Sequence, residues 1–135
     1  MVKVIMGVKG SGKTKELVRS INEAVKTEAG SMVCIEKGNK LTYDIDYRVR
    51  LVDVKDYQVS GATYLKGFIS GLHAGNFDIT HIFIDSLYKI IGEDIEAAEA
   101  FLQWCEVFGE ANQISFTVVI SDNPDKASDH IKKYF

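Results

Sequence analysis

No stretch of the 135 residues has the roughly 18 consecutive apolar side chains that a membrane-spanning helix needs. The opening residues lack the pattern of a secretory leader. Lys3, Lys9 and Lys13 interrupt it and glycines arrive early, so a cytoplasmic protein is expected. Cysteine is scarce: Cys34 and Cys105 stand far apart in apolar segments and read as buried, reduced thiols. The three histidines, His73, His81 and His130, are scattered, which excludes zinc-type spacing. An excess of positive charge is also absent. Lys and Arg number 16 against 19 Asp and Glu, a net charge of −3, which disfavours duplex nucleic acid as a partner. There is one proline, and there is no repeat, low-complexity tract or linker.

What is present is ordinary for a globular protein, with 46% apolar and 26% charged residues. The length suggests a single domain over 1–135. Strand-like segments fall at 2–6, 32–36, 49–54, 81–85 and 115–121. Most are nearly continuous apolar runs, as strands buried on both faces of a parallel sheet are. Arg48 and Arg50 would share one face of the third strand if it is regular.

Helical spacing lies between these runs. Leu17, Ile21 and Val25 form one stripe, with Gly30 as a plausible end. Leu65, Phe68, Ile69 and Leu72 form another, weakened by Gly67 and Gly71. Ile95, Ala98, Phe101, Leu102, Cys105 and Phe108 form the strongest. Pro124, after Asp122 and Asn123, reads as a capped helix start, with Ala127, Ile131 and Phe135 inward. Such alternation predicts a three-layer α/β domain around a mostly parallel five-stranded sheet. Residues 37–47 read as a polar excursion.

Gly7, Val8, Lys9, Gly10, Ser11, Gly12, Lys13 and Thr14 match G-x-x-x-x-G-K-[ST] in full, between a strand and a helix. Glycines let the backbone turn left-handed and aim several N–H groups at one centre. The helix adds its positive N-terminal end. In such a loop the N–H groups of residues 10–14 cradle the β-phosphate. Lys13 reaches the β- and γ-phosphates, and the Thr14 hydroxyl ligates Mg²⁺.

With this motif the chain resembles the P-loop NTPases, and the loop resembles their Walker A. The resemblance implies a second carboxylate at the end of a neighbouring apolar strand. Asp85 in "HIFIDS" fills that place and would hold Mg²⁺, while it could also cap the next helix. Ser86 follows Asp85, so the Asp-Glu pair of AAA-type ATPases does not occur there. The chain looks instead like the RecA/KaiC-like branch, in which a residue at the end of the strand after the P-loop helix can activate water. Here that residue is Glu36, which could equally be a solvated strand-end charge. In such folds the last strand lies between the P-loop strand and the Asp85 strand. Ser121 and Asn123 would then stand near the γ-phosphate, unless Asp122 or Asn123 only caps the Pro124 helix.

The N-K-x-D guanine motif is absent, which favours ATP over GTP. A minimal, slow, Mg²⁺-dependent ATPase is the leading expectation, with Lys13, Glu36 and Asp85 as catalytic residues. It would be activated by a protein partner or by assembly into a homo-oligomer. Of the three arginines, Arg19 lies within the first helix, and Arg48 or Arg50 could serve a neighbouring subunit or simply form a solvated edge-strand face. Two alternatives stand beside it. One is a small-molecule or nucleoside kinase using residues 37–48 as an acceptor loop, although thymidine-kinase-type enzymes carry Asp-Glu and zinc cysteines. The other is an ATP-dependent switch or scaffold that does not hydrolyse. A label such as twitching-motility ATPase would rest on the Walker A alone, because the further catalytic boxes of pilus motors do not occur in these residues.

Overall fold

The computed structural model describes residues 1–38 and 45–135. Its elements run β1 (Val2–Gly7), α1 (Lys13–Thr27), β2 (Ser31–Glu36), β3 (Val49–Asp53), α2 (Ala62–Gly75), β4 (Ile79–Ile84), α3 (Leu87–Ile91), α4 (Ile95–Asn112), β5 (Ser115–Ser121) and α5 (Asp129–Lys132). Short 3-10 turns occupy Val54–Tyr57 and Pro124–Lys126. All five strands are parallel, in the spatial order β1-β5-β4-β2-β3. The domain is a three-layer α/β sandwich.

The strand sequences follow from this order. β2 and β5 lie inside the sheet with helices on both faces, so their inner residues are uniformly buried and read as apolar runs. β1 and β3 are the edges and alternate more: Lys3 is exposed between buried Val2 and Val4, and Arg50 is exposed between buried Val49 and half-buried Leu51. The β1 edge is partly covered by the end of the chain, where the Val4 N–H donates to the Tyr134 carbonyl at 2.8 Å. That removes one unpaired ladder group from the edge.

The helices divide unequally. Leu17, Ile21, Ala24 and Val25 of α1 pack on Met32, Cys34, Phe83 and Val119. Residues of α2, α3, α4 and α5 pack together on the opposite face, over Val33, Ile35, Ile82, Ile84 and Phe116. Chain direction explains the division. The β1-to-β2 crossover moves one way across the sheet, while β3-to-β4 and β4-to-β5 move back. Right-handed crossovers put helices from opposite directions on opposite faces.

Several expectations are corrected. The Pro124 segment is not one helix: Asn123 caps a 3-10 turn through its side chain, and α5 follows as a separate short helix. Tyr134 is the inward residue there, and Phe135 is exposed. Arg48 lies in the turn before β3 and not in the strand, so only Arg50 is a strand residue. Val54 belongs to the 3-10 turn after that strand. α1 ends at Thr27, before Gly30. α3 was not anticipated; five residues are too few to show a helical period. Both thiols are buried and free. Half of the segment expected as an acceptor loop, residues 39–44 of 37–48, lies outside the described residues.

Candidate functional site

The loop of residues 7–14 leaves the C-terminal end of β1 and turns directly into α1. Gly10 and Gly12 have φ of 84° and 90°, in the left-handed region that glycine enters without strain. Gly7 serves the turn in a different way: the chain curls back so closely that a Cβ there would force the Ser11 hydroxyl to move. The Ser11 N–H donates to the Val8 carbonyl at 3.1 Å, and the Lys13 ammonium donates to the same carbonyl at 3.0 Å. The loop is therefore a closed ring with Lys13 folded over it. Val8, Lys9, Gly10, Ser11, Gly12 and Thr14 are exposed and Lys13 is half-buried. Gly12 precedes α1 with no side chain to cap it, so the N–H groups of the first turn have no helical acceptor.

Two strands away lies Asp85. β5 pairs with β1 through Gly7 and Ser121 and with β4 through Val118 and Ile84. The loop and Asp85 are therefore two strand spacings apart, roughly 10 Å. β2 borders β4 on the far side, and the Asp85 N–H donates to the Ile35 carbonyl at 2.9 Å. Glu36 and Asp85 thus leave neighbouring strand ends side by side. Cys34 and Phe83 lie on the α1 face, so the two-residue alternation directs Glu36 and Asp85 to that face as well. By the same rule Ser121 shares it with Val119. Glu36, Asp85 and Ser121 therefore share the face of the sheet on which α1 packs.

Burial there is unusual for acids. Glu36 is 2% exposed and Asp85 9%. Glu36 is therefore not a solvated strand-end charge. Cys34, one alternation below, reports the same environment. Burial first, and then the Glu36 and Asp85 carboxylates, hold its thiol well above the ordinary range. Asp85 does not cap α3 either. Ser86 occupies the cap position with φ 55°, and its hydroxyl donates to the Asp85 carboxylate at 3.3 Å. A serine in the left-handed region costs on the order of 1–2 kcal/mol, so the backbone directly after Asp85 is strained.

The remaining candidates divide. Asn123 accepts from the Asp125 N–H and also lines a cavity of about 510 Å³ with Pro124, Met6, Gly7, Ser11, Lys13 and Glu16. Arg19 does not reach this cavity; it pairs with Glu16 at 2.6 Å on the surface of α1. Arg48 and Arg50 lie elsewhere, at a second cavity. Asp53 is a residue that sequence reasoning passed over. It ends β3 opposite Glu36, and one of its carboxylate oxygens accepts from the Gly38 and Lys55 N–H groups at 2.9 and 3.0 Å. It pins the backbone that follows Glu36. The signal was present, since β2, β3 and the β4 run each finish in an acid, but the third strand was read one residue too long.

The cavity by the loop sits where β1 and β5, adjacent strands, send their connections to opposite faces of the sheet. That reversal opens a crevice at the C-terminal ends of the strands, the usual ligand position in open α/β sheets. The chain matches no protein-family model and no curated protein.

Proposed function

We propose that this chain is a small P-loop nucleotide-binding protein that takes Mg²⁺-ATP in the crevice between loop 7–14 and Asp85. In this reading it hydrolyses the nucleotide slowly, as a minimal RecA-like ATPase. The observation that carries this reading is that the closed glycine ring, the uncapped N-terminus of α1 and two buried acids lie at the same C-terminal end of one parallel sheet.

In this reading the N–H groups of residues 10–14 receive the phosphates, because they carry fixed positive dipoles and those of the first turn of α1 have no helical acceptor. Lys13 exchanges the Val8 carbonyl for phosphate oxygens. Thr14 and Asp85 would hold Mg²⁺, which supplies neutralisation of the phosphate charge; Mg²⁺ commonly takes only one or two protein carboxylates and fills its shell with phosphate and water. Glu36, beside Asp85 and almost wholly buried, orients a water and accepts its proton. Ser121 stands on the same face as these groups and offers a hydroxyl. ATP is preferred because no guanine-reading motif follows β5.

The reading is tested by calorimetric titration of ATP and GTP, with and without Mg²⁺, on wild type and Lys13→Ala. Mg²⁺-dependent binding of ATP to one site is expected, weakened about tenfold or more by the loss of one charge-assisted contact. Absence of Mg²⁺-dependent binding of either nucleotide to the wild type refutes it.

A further inference from the structure

The strongest feature outside the crevice is a cavity of about 540 Å³ between α2 and the β3 edge of the sheet. Ser31 and Ile79, the first residues of β2 and β4, mark its floor at the N-terminal ends of the strands. It lies against the β3 edge, the edge opposite β1, and is therefore roughly 20 Å across the sheet from loop 7–14. Its volume is in the range of sites that enclose metabolite-sized ligands.

Three properties define what it would hold. The floor is aliphatic, with Val33 and Val52 from the sheet. One wall is aromatic: Tyr57 and Phe68 bring their rings to 5.7 Å. The mouth carries Arg48 and Arg50, two of the three arginines in a chain of net charge −3. Neither guanidinium has a carboxylate within ion-pair distance among the described residues. Arginine presents a planar fork that matches carboxylate and phosphate oxygens two at a time.

The opposite wall is shaped by absence. Gly71 and Gly75 of α2 line the cavity, and a Cβ built on either meets nothing within 4 Å. Internal packing does not demand glycine there. Gly71, in the helix interior, costs about 1 kcal/mol relative to alanine, and the absence of both side chains leaves this wall open.

We propose that this cavity is a second binding site, for a small organic anion whose carboxylate or phosphate is gripped by Arg48 and Arg50 and whose apolar or aromatic body lies against Tyr57, Phe68 and the sheet. The site is independent of the nucleotide crevice and stands whether or not the crevice binds ATP.

The test uses 8-anilinonaphthalene-1-sulfonate, an aromatic anion that fluoresces on burial. The wild-type chain is expected to bind one equivalent. Benzoate or phenyl phosphate at millimolar concentration displaces it, and the more effective of the two identifies the preferred head group. The Arg48→Gln/Arg50→Gln variant is expected to bind about tenfold more weakly. Gly71→Leu is expected to abolish binding by filling the cavity, while the helix keeps or gains stability. Lys13→Ala is expected to bind as the wild type does. The proposal is overturned by any of four results: no binding to the wild type, displacement by neither competitor, wild-type affinity in both cavity variants, or loss of binding in Lys13→Ala.

Discussion

Two glycine-to-alanine changes of opposite sign probe the geometry of the loop. Gly12 has φ 90° and ψ 15° and precedes α1. A Cβ there would touch nothing within 4 Å, so the whole penalty is conformational. Alanine in the left-handed region costs about 1–2 kcal/mol. Stiffening the unfolded chain returns roughly 0.4–1 kcal/mol of that. Gly12→Ala should therefore destabilise the protein by about 1 kcal/mol. Gly67, exposed in the interior of α2 with equally open space around it, should do the reverse. Alanine there gains about 1 kcal/mol of helix propensity. The two variants should differ by roughly 2 kcal/mol, or about 8 °C in Tm for a domain of this size.

Urea unfolding followed through Trp104, the single tryptophan, measures both changes. Calorimetry with Mg²⁺-ATP then separates loop from helix. Gly12→Ala either keeps its strained backbone or rotates N–H groups away from the phosphate position. The second course forfeits charge-assisted contacts and about tenfold or more in affinity. Gly67→Ala should bind as the wild type does. Equal stability shifts in the two variants would refute the backbone argument. Wild-type affinity in a stably folded Gly12→Ala would refute the role given to the loop's N–H groups.

Glu36→Gln preserves shape and removes the proton acceptor. Single-turnover phosphate release should fall at least a hundredfold, in line with general-base contributions, while nucleotide binding persists. Unchanged release would remove Glu36 from the chemistry. His81 is a pH probe of the α1 face. Its Nδ1 faces the Glu28 carboxylate at 2.8 Å and its Nε2 the Thr117 hydroxyl at 2.9 Å. Burial lowers its pKa, and the Glu28 contact opposes this without overcoming it. The unfolded chain then holds more protons than the folded one below about pH 6.5, the ordinary histidine value, so stability is lost as pH falls through that point. His81→Gln should flatten that slope in urea midpoints measured across the window; an unchanged slope would assign it to other groups.

Much of the fold was legible because its signals are local. Leu17, Ile21 and Val25 mark α1 by spacing alone, and loop 7–14 needs only eight consecutive residues to be recognised. α2 forms in spite of its glycines because Leu65 and Ile69 are completely buried, and tertiary packing outweighs about 1 kcal/mol per glycine. The Pro124 segment misled because a cap followed by apolar residues looks the same whether the helix continues or breaks at Ala127. Glu36 had two open readings because a strand-end acid is ambiguous until its neighbours are known.

Chemistry carried by adjacent residues was settled along the chain: which loop can turn left-handed, which runs are buried on both faces, which acids end them. The placement of Gly7, Glu36 and Asp85 at one end of the sheet was not, because it depends on β5 entering between β1 and β4, which only the resemblance implied, and on β2 pairing with β4. Neither pairing leaves a periodic trace. The strand order emerges from long-range burial and right-handed crossovers acting on the whole chain. The cavity at Arg48 and Arg50 has the same origin, since two arginines in a turn and an edge strand acquire an aromatic wall only when α2 packs beside them.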